Sequence, residues 1–167
     1  MIDFIVPGVP APQGSYRALV NQHTGKPIIT TSKTSGFLRY RADLRAAATE
    51  AMKVFAESTG VTILNGGVAC YFVFVFPRPE GHWLPANSRR DVPVLRPGAP
   101  ESMLHAPDVD KLCRSVLDAF TGIVYRDDAQ VISLGGVKTY DPDYGASART
   151  LVSVLYEPGS TTKEVQH

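Results

Sequence analysis

The period of the hydrophobic positions changes along the chain and predicts two helices and a buried strand. Apolar residues recur at helical spacing over residues 37–58, and Thr59-Gly60 is expected to end this helix. The same spacing returns in a second predicted helix over residues 108–120. Between them, residues 67–76 are apolar at odd and even positions alike, which predicts a central strand covered on both faces.

Shorter patterns predict the remaining strands. Residues 2–6 alternate as a first strand that Pro7 ends, and residues 14–36 indicate an irregular or hairpin region. Two further strands are expected at residues 131–140 and 150–156. The order β-hairpin-α-β-α-β-β predicts an α+β (mixed α/β) fold with two helices packed on a small mixed sheet.

The length predicts a single domain. At 167 residues and 18.1 kDa, the chain can form one domain with a proper core. We assign it to residues 1–157, with a long mobile loop at 78–103, where Pro, Gly, Arg and Asn are frequent and no period is sustained. Residues 158–167 are expected to form a polar tail.

Composition and charge argue against a membrane-spanning or secreted protein and favour one that binds a polyanion. No apolar run is long enough to cross a membrane, and the start lacks the basic region of a signal peptide. Cys70 and Cys113 have no paired spacing and predict buried thiols in a reducing compartment, so we expect a cytoplasmic protein. Basic residues outnumber acids over residues 1–100, whereas acids dominate residues 101–128. This distribution suits a polyanionic substrate that is brought to a metal.

Acidic clusters flank the second predicted helix. Asp108-Val109-Asp110 opens it, and Asp127-Asp128 lies in the turn that follows it. Carboxylates at the ends of adjacent helices and strands can converge on one divalent cation. A donor set of oxygen alone favours Mg²⁺, with Mn²⁺ as a substitute, over zinc.

Each acid also has an ordinary structural explanation. Asp108 can be an N-cap, Asp110 can favour the helix dipole, and Asp127-Asp128 can form a turn before a strand. Arg114, four residues after Asp110, can form a surface ion pair with it. These explanations cover single residues, and none of them accounts for both clusters together.

The sequence around these clusters resembles a known family. PDVDKLCRSVLDAF at residues 107–120, followed by YRDDAQV at 125–131, is similar to the RusA family of Holliday-junction resolvases. That family's pattern is roughly D-x-D-N-L-x-K, a helix, and then D-D-x-Q-V, and many members come from phages and prophages. The resemblance implies a homodimeric, Mg²⁺-dependent endonuclease of recombination and repair that nicks four-way DNA junctions symmetrically.

The resemblance also assigns site residues. Asp108 and Asp110 match the first two family carboxylates and Asp128 matches the third, so these three are the expected metal ligands and catalytic residues. Arg114 stands where the family usually has a catalytic lysine, and Lys111 stands where asparagine is common. Arginine keeps the positive charge and can clamp a phosphate, but it does not give up a proton.

Contacts to DNA are expected from basic residues outside the acidic clusters. The candidates are Lys111, Lys138 and, on the long loop, Arg89 and Arg90, together with Trp83 as a platform for an unpaired base. Three other interpretations remain open. They are a module that binds branched DNA without cutting it, a less selective branched-DNA nuclease, and a structural protein stabilised by a metal.

Overall fold

The predicted order of elements is present in a computed structural model of the chain, which describes residues 1–14, 16–20, 24, 27–31 and 34–157. The helices and strands are β1 (Ile2–Pro7), β2 (Tyr16–Val20), β3 (Pro27–Thr31), α1 (Ser35–Thr59), β4 (Val68–Phe76), β5 (Trp83–Leu84), β6 (Val94–Leu95), α2 (Val109–Phe120), β7 (Val131–Tyr140) and β8 (Arg149–Tyr156). The α+β prediction is confirmed. The predicted hairpin is β2 paired with β3, although most of its turn, like the 158–167 tail, lies outside the described residues.

Local signals at both ends delimit α1. The Thr34 hydroxyl accepts a hydrogen bond from the Phe37 amide at 3.2 Å, which satisfies one of the free amides of the first turn. At the other end Gly60 adopts φ 73°, a left-handed conformation that glycine tolerates, and its amide donates to the Ala56 carbonyl. Helix α1 therefore exceeds the predicted 37–58 span by two residues at its start and one at its end.

A four-stranded mixed sheet runs in the order β1-β8-β4-β7. The pairs β1–β8 and β8–β4 are antiparallel, whereas β4 and β7 are parallel. Parallel neighbours cannot be joined by a tight turn, so the chain crosses over between them, and α2 lies in that crossover. Strand β7 lies at one edge of the sheet, and α2 packs beside it.

The prediction that the central strand is covered on both faces holds fully for one face and only in part for the other, where Val75 is buried but Tyr71 is not. Cys70, Phe72 and Phe74 point into the core with residues of both helices, and all three are buried. Tyr71, on the opposite face of β4, is 44% exposed. The strand is central in its hydrogen bonding, since β8 and β7 flank it, but both helices pack against the same face.

The close approach of α2 to the sheet depends on Gly136 of β7. A Cβ atom at this position would lie 2.4 Å from the Sγ atom of Cys113 and 3.3 Å from Cγ2 of Val109. Only glycine leaves room for the helix there. The exposed side of α2 is thereby held next to the edge strand.

The predicted loop at 78–103 contains short regular structure. Strands β5 and β6 pair as a small antiparallel hairpin, and a tight turn is closed by reciprocal backbone hydrogen bonds between Asn87 and Arg90. The end of the loop forms a bridge between Ser102 and Thr139 of β7. The mobility of this loop stays a prediction.

The cysteine prediction is confirmed at both positions. Cys70 and Cys113 are buried free thiols in a strand and a helix. In the described part of the chain, no helix is long and apolar enough to cross a membrane.

Candidate nuclease site

Asp108 stands at the start of α2 and makes a contact that sequence reasoning did not anticipate. It occupies the N-cap position, but its side chain makes no capping hydrogen bond. Its Oδ2 atom instead accepts a hydrogen bond from Lys111 Nζ at 2.6 Å. This hydrogen bond, together with the charge of Lys111, lowers the pKa of Asp108 below its ordinary value. Asp108 therefore occupies the N-cap position, as the structural explanation predicts, but its carboxylate does not perform the capping that this explanation assumes.

Lys138 fastens the segment that leads into α2. Its ammonium donates to the Pro107 carbonyl at 3.0 Å and to the His105 carbonyl at 2.5 Å. The charge of Lys138 also contributes to lowering the pKa of Asp108, after the larger effect of Lys111. Two of the three ammonium hydrogens thus bind backbone carbonyls just before α2, and the third can bind another acceptor.

A groove of about 420 Å³ separates α2 from the edge strand β7. Four charged side chains line it, namely Asp110, Arg114, Asp118 and Asp128. Small and apolar residues complete its walls, namely Val109, Cys113, Leu117, Leu134 and Gly136. One carboxylate of each predicted acidic cluster, Asp110 and Asp128, therefore lines the same groove as Arg114.

None of the four charged groups has a hydrogen-bonding or ion-pair partner in the described part of the chain. No hydrogen bond or ion pair engages the side chains of Asp110, Arg114, Asp118 or Asp128. The ion pair considered between Asp110 and Arg114 is therefore absent from the described residues. Three of the four side chains are exposed, and Asp118 is half-buried. The groove leaves these groups free to meet a ligand.

Asp118 is the groove residue that sequence reasoning missed as a site residue. Positions 110, 114 and 118 are four apart and therefore lie along one side of α2, with a rise of about 6 Å between successive members. Burial raises the pKa of the Tyr125 hydroxyl, and Cys70, Asp128 and Asp118 add to the rise. Asp118 and Asp128 thus act on the same hydroxyl. The four-residue spacing of positions 110, 114 and 118 is the sequence feature from which Asp118 could have been predicted as a site residue.

The turn that carries Asp128 is closed by its neighbours. Asp127 Oδ1 accepts a hydrogen bond from the Ala129 amide at 2.8 Å and caps a short 3₁₀ turn at Asp128–Gln130. The Gln130 side chain reaches back to the Asp127 amide and completes a capping box. The ordinary turn explanation therefore holds for Asp127. It leaves the Asp128 side chain free.

The three predicted ligands do not meet at one point. Asp108 is not among the described residues that line the groove. In the same part of the chain, no group of three or more His, Cys, Asp or Glu side chains is placed to hold a metal ion. The groove nevertheless fits a hard cation, because its free donors are carboxylate oxygens and Mg²⁺ needs only one or two of these beside water and phosphate oxygens.

Some basic and aromatic residues of the long loop lie at its turn, where they can reach a ligand, and others are engaged in contacts within the protein. Arg89 is exposed at the tip of the Asn87–Arg90 turn, and Arg90 is half-buried beside it. Trp83 is only 7% exposed and packs edge-on against Tyr144, so its ring is not available as a stacking platform. The guanidinium of Arg96 donates to the Trp83 carbonyl at 3.0 Å and holds the loop itself.

Comparison with known proteins places the chain in a family. The family model described as endodeoxyribonuclease RusA matches residues 7–154, which is most of the chain and includes α2, the turn at residues 126–130 (the acidic turn) and the whole of β7. The chain therefore belongs to the RusA endodeoxyribonuclease family. It is an endonuclease of the class that resolves Holliday junctions. A search of curated proteins found no match to the chain.

Proposed function

We propose that this protein is a Mg²⁺-dependent endonuclease that resolves four-way DNA junctions by paired symmetric nicks during recombination and repair. The observation that carries the proposal is the groove in which α2 and the turn before β7 present Asp110, Arg114 and Asp128 together. The two free thiols are consistent with action in the cytoplasm.

The proposed roles follow from the chemistry of each side chain. Asp110 and Asp128 supply carboxylate oxygens for the cation, and Asp108 joins them when it is released from Lys111. Mg²⁺, or Mn²⁺ in its place, supplies Lewis acidity toward a phosphate oxygen when it is bound. Arg114 stabilises the negative charge that develops on the phosphate during cleavage, since a guanidinium can donate two parallel hydrogen bonds to phosphate oxygens.

The proposed DNA contacts are electrostatic. Arg89 and Arg90 place two positive charges at the tip of the loop hairpin, where they can bind backbone phosphates. Lys111 and Lys138 stand at the entrance of α2, and each has an ammonium hydrogen that no described residue uses. Such contacts position the DNA without reading its sequence.

We further propose that the protein acts as a homodimer. Paired symmetric nicks require two equivalent sites, and a two-fold axis is the simplest way to relate them. A four-way junction offers the matching symmetry. A dimer would also hold both sites on one substrate until the second nick is made.

The experiment uses a labelled four-way junction with Mg²⁺ and the variant Asp110→Asn. Asparagine keeps the shape of the side chain and removes its charge, so cleavage should fall by about 100-fold or more while junction binding without divalent cation stays within about twofold. Asp3→Asn is the matched control, because Asp3 is an exposed acid on β1, at the opposite edge of the sheet.

Each outcome decides the proposal. Paired nicks near the crossover by the wild-type chain, lost in Asp110→Asn and kept in Asp3→Asn, support it. Junction that is retarded but never cut supports a DNA-binding module without nuclease activity. Cutting by Asp110→Asn at the wild-type rate contradicts the assignment of the site.

A further inference from the structure

The side-chain amide of Gln130 makes four hydrogen bonds to the backbone. Its Oε1 atom accepts from the Arg126 amide at 2.9 Å and from the Asp127 amide at 3.1 Å. Its Nε2 atom donates to the Leu64 carbonyl at 3.1 Å and to the Gly66 carbonyl at 2.9 Å. Four bonds are the full capacity of a carboxamide. The orientation is fixed, because exchanging O and N would set donors against amides and an acceptor against carbonyls.

These bonds join two parts of the molecule that are distant in the sequence. One pair reaches the start of the acidic turn, immediately before Asp128. The other pair reaches the segment that leads into the central strand β4. Gln130 thus connects the acidic turn to the segment just before β4, a strand that pairs on both sides in the sheet.

The turn does not need the bonds to Leu64 and Gly66 in order to close. The Asp127 carboxylate already caps the turn by accepting a hydrogen bond from the Ala129 amide. The backbone amide of Gln130 also donates a hydrogen bond to the Asp127 carbonyl. What the two bonds from Nε2 add is the location of the turn relative to the sheet. That location determines how Asp128 faces Asp110 and Arg114 across the groove.

We infer that Gln130 is a positioning residue that sets the Asp128 carboxylate for cation binding. The inference rests on the proposed ligand role of Asp128. Gln130 itself touches neither DNA nor cation in this role. It acts as the outer hydrogen-bonding partners of metal ligands do, whose loss typically weakens metal affinity about 10- to 100-fold.

The test compares two variants of Gln130 with one control. Gln130→Met keeps the length of the side chain and removes all four bonds. Gln130→Glu keeps the acceptors for Arg126 and Asp127 but turns an oxygen toward the Leu64 and Gly66 carbonyls. Tyr156→Phe is the control, because the Tyr156 hydroxyl donates to Asn65 Oδ1 at 2.8 Å and its loss disturbs the same segment without touching the turn.

Three quantities are measured for each variant. The first is the Mn²⁺ concentration that half-saturates the DNA-free protein, followed by electron paramagnetic resonance. The second is the Kd for a four-way junction without divalent cation. The third is hydrogen exchange at the Arg126 and Asp127 amides, which reports whether their bonds to Gln130 are lost.

In both Gln130 variants we expect the half-saturating Mn²⁺ concentration to rise about tenfold or more, with the junction Kd within about twofold of wild type. Exchange at the Arg126 and Asp127 amides should accelerate in Gln130→Met. Tyr156→Phe should leave all three quantities unchanged. An unchanged Mn²⁺ affinity in Gln130→Met, or an equal loss in Tyr156→Phe, overturns the positioning role.

Asp128→Asn separates this inference from the proposed function. If Asp128→Asn loses Mn²⁺ binding and Gln130→Met does not, only the positioning role of Gln130 is overturned. If Asp128→Asn binds Mn²⁺ like the wild type, or the wild type binds none, the ligand role of Asp128 is wrong and the inference falls with it.

Discussion

The Lys111 ammonium, in the first turn of α2, donates a hydrogen bond to the Asp108 carboxylate across 2.6 Å. The pair lowers the pKa of Asp108 and raises the pKa of Lys111, since each group stabilises the charged form of the other. Lys111 occupies the position where the RusA pattern commonly has asparagine. One of the three expected ligands therefore has a cationic partner that competes with a metal ion.

Lys111→Asn should release Asp108 and improve cation binding. Exposed ion pairs are weak, so we expect the Mg²⁺ concentration for half-maximal cleavage to fall by about two- to fivefold. The measurement is a Mg²⁺ titration of single-turnover cleavage. Lys53→Asn is the control, because Lys53 pairs with Glu50 on α1 at 3.8 Å, away from the groove. A Mg²⁺ requirement that does not change would show that Asp108 takes no part in cation binding.

Arg114 should carry out the work expected of the family lysine. Arg114→Lys keeps the charge and should retain cleavage within about tenfold, whereas Arg114→Ala should slow it by about 100-fold or more because charge on the phosphate is no longer stabilised. Single-turnover rates at saturating protein separate this effect from DNA binding. If Arg114→Ala cuts as fast as the wild type, the guanidinium has no catalytic role.

Gly136 should be more sensitive to a methyl group than its neighbour Gly135. In Gly136→Ala the new Cβ would meet the buried Cys113 sulfur at 2.4 Å, so α2 must move and about 1–3 kcal/mol of unfolding free energy should be lost. In Gly135→Ala the contact is 2.7 Å to the ring of Tyr71, which is partly exposed and can turn away.

The check for Gly136 is a denaturant unfolding series. Adding Cys113→Ala removes the sulfur, and the double variant should recover part of the loss because the two substitutions act on one contact. Equal destabilisation by Gly135→Ala and Gly136→Ala would contradict a specific requirement for glycine beneath α2.

The two thiols should make the protein less stable in alkali. Burial raises the pKa of Cys70 from 9.0 to about 12, and burial followed by the charge of Asp110 raises the pKa of Cys113. An unfolded thiol ionises near its ordinary value and the folded thiol does not, so their contribution to stability is complete below about pH 9 and is lost as pH rises toward the folded pKa.

Unfolding free energies measured between pH 8 and about pH 11 test the thiol prediction. Cys70→Ala should be less stable at neutral pH because it leaves a cavity, and its stability should decline less steeply above about pH 9. At pH 8 a thiol reagent should leave Cys70, which is fully buried, unmodified in the native protein and should modify it after unfolding. Rapid modification of Cys70 in the native protein would contradict its burial.

The two helices, the hairpin and the strands of the four-stranded sheet could be predicted because each depends on neighbours in the sequence, whereas the short strands β5 and β6 were not predicted. The spacing of apolar residues located α1 and α2 to within two residues, and β7 was predicted with its observed bounds. The acidic clusters and the RusA pattern are also contiguous, so they identified the family before any contact was known. Both the apolar spacing and the family motif are formed by residues that are close together in the sequence.

The contacts that define the groove could not be predicted, because they join residues far apart in the sequence or depend on a choice between partners. Asp108 was expected beside Asp110 and Asp128, but a lysine in the first turn of α2 engages it. Packing also left one face of β4 without helices, although its residues are apolar on both sides. Pairing of β4 with β7 brings Gln130 to Leu64, although the two residues are 66 positions apart and nothing local in the sequence indicates that bond.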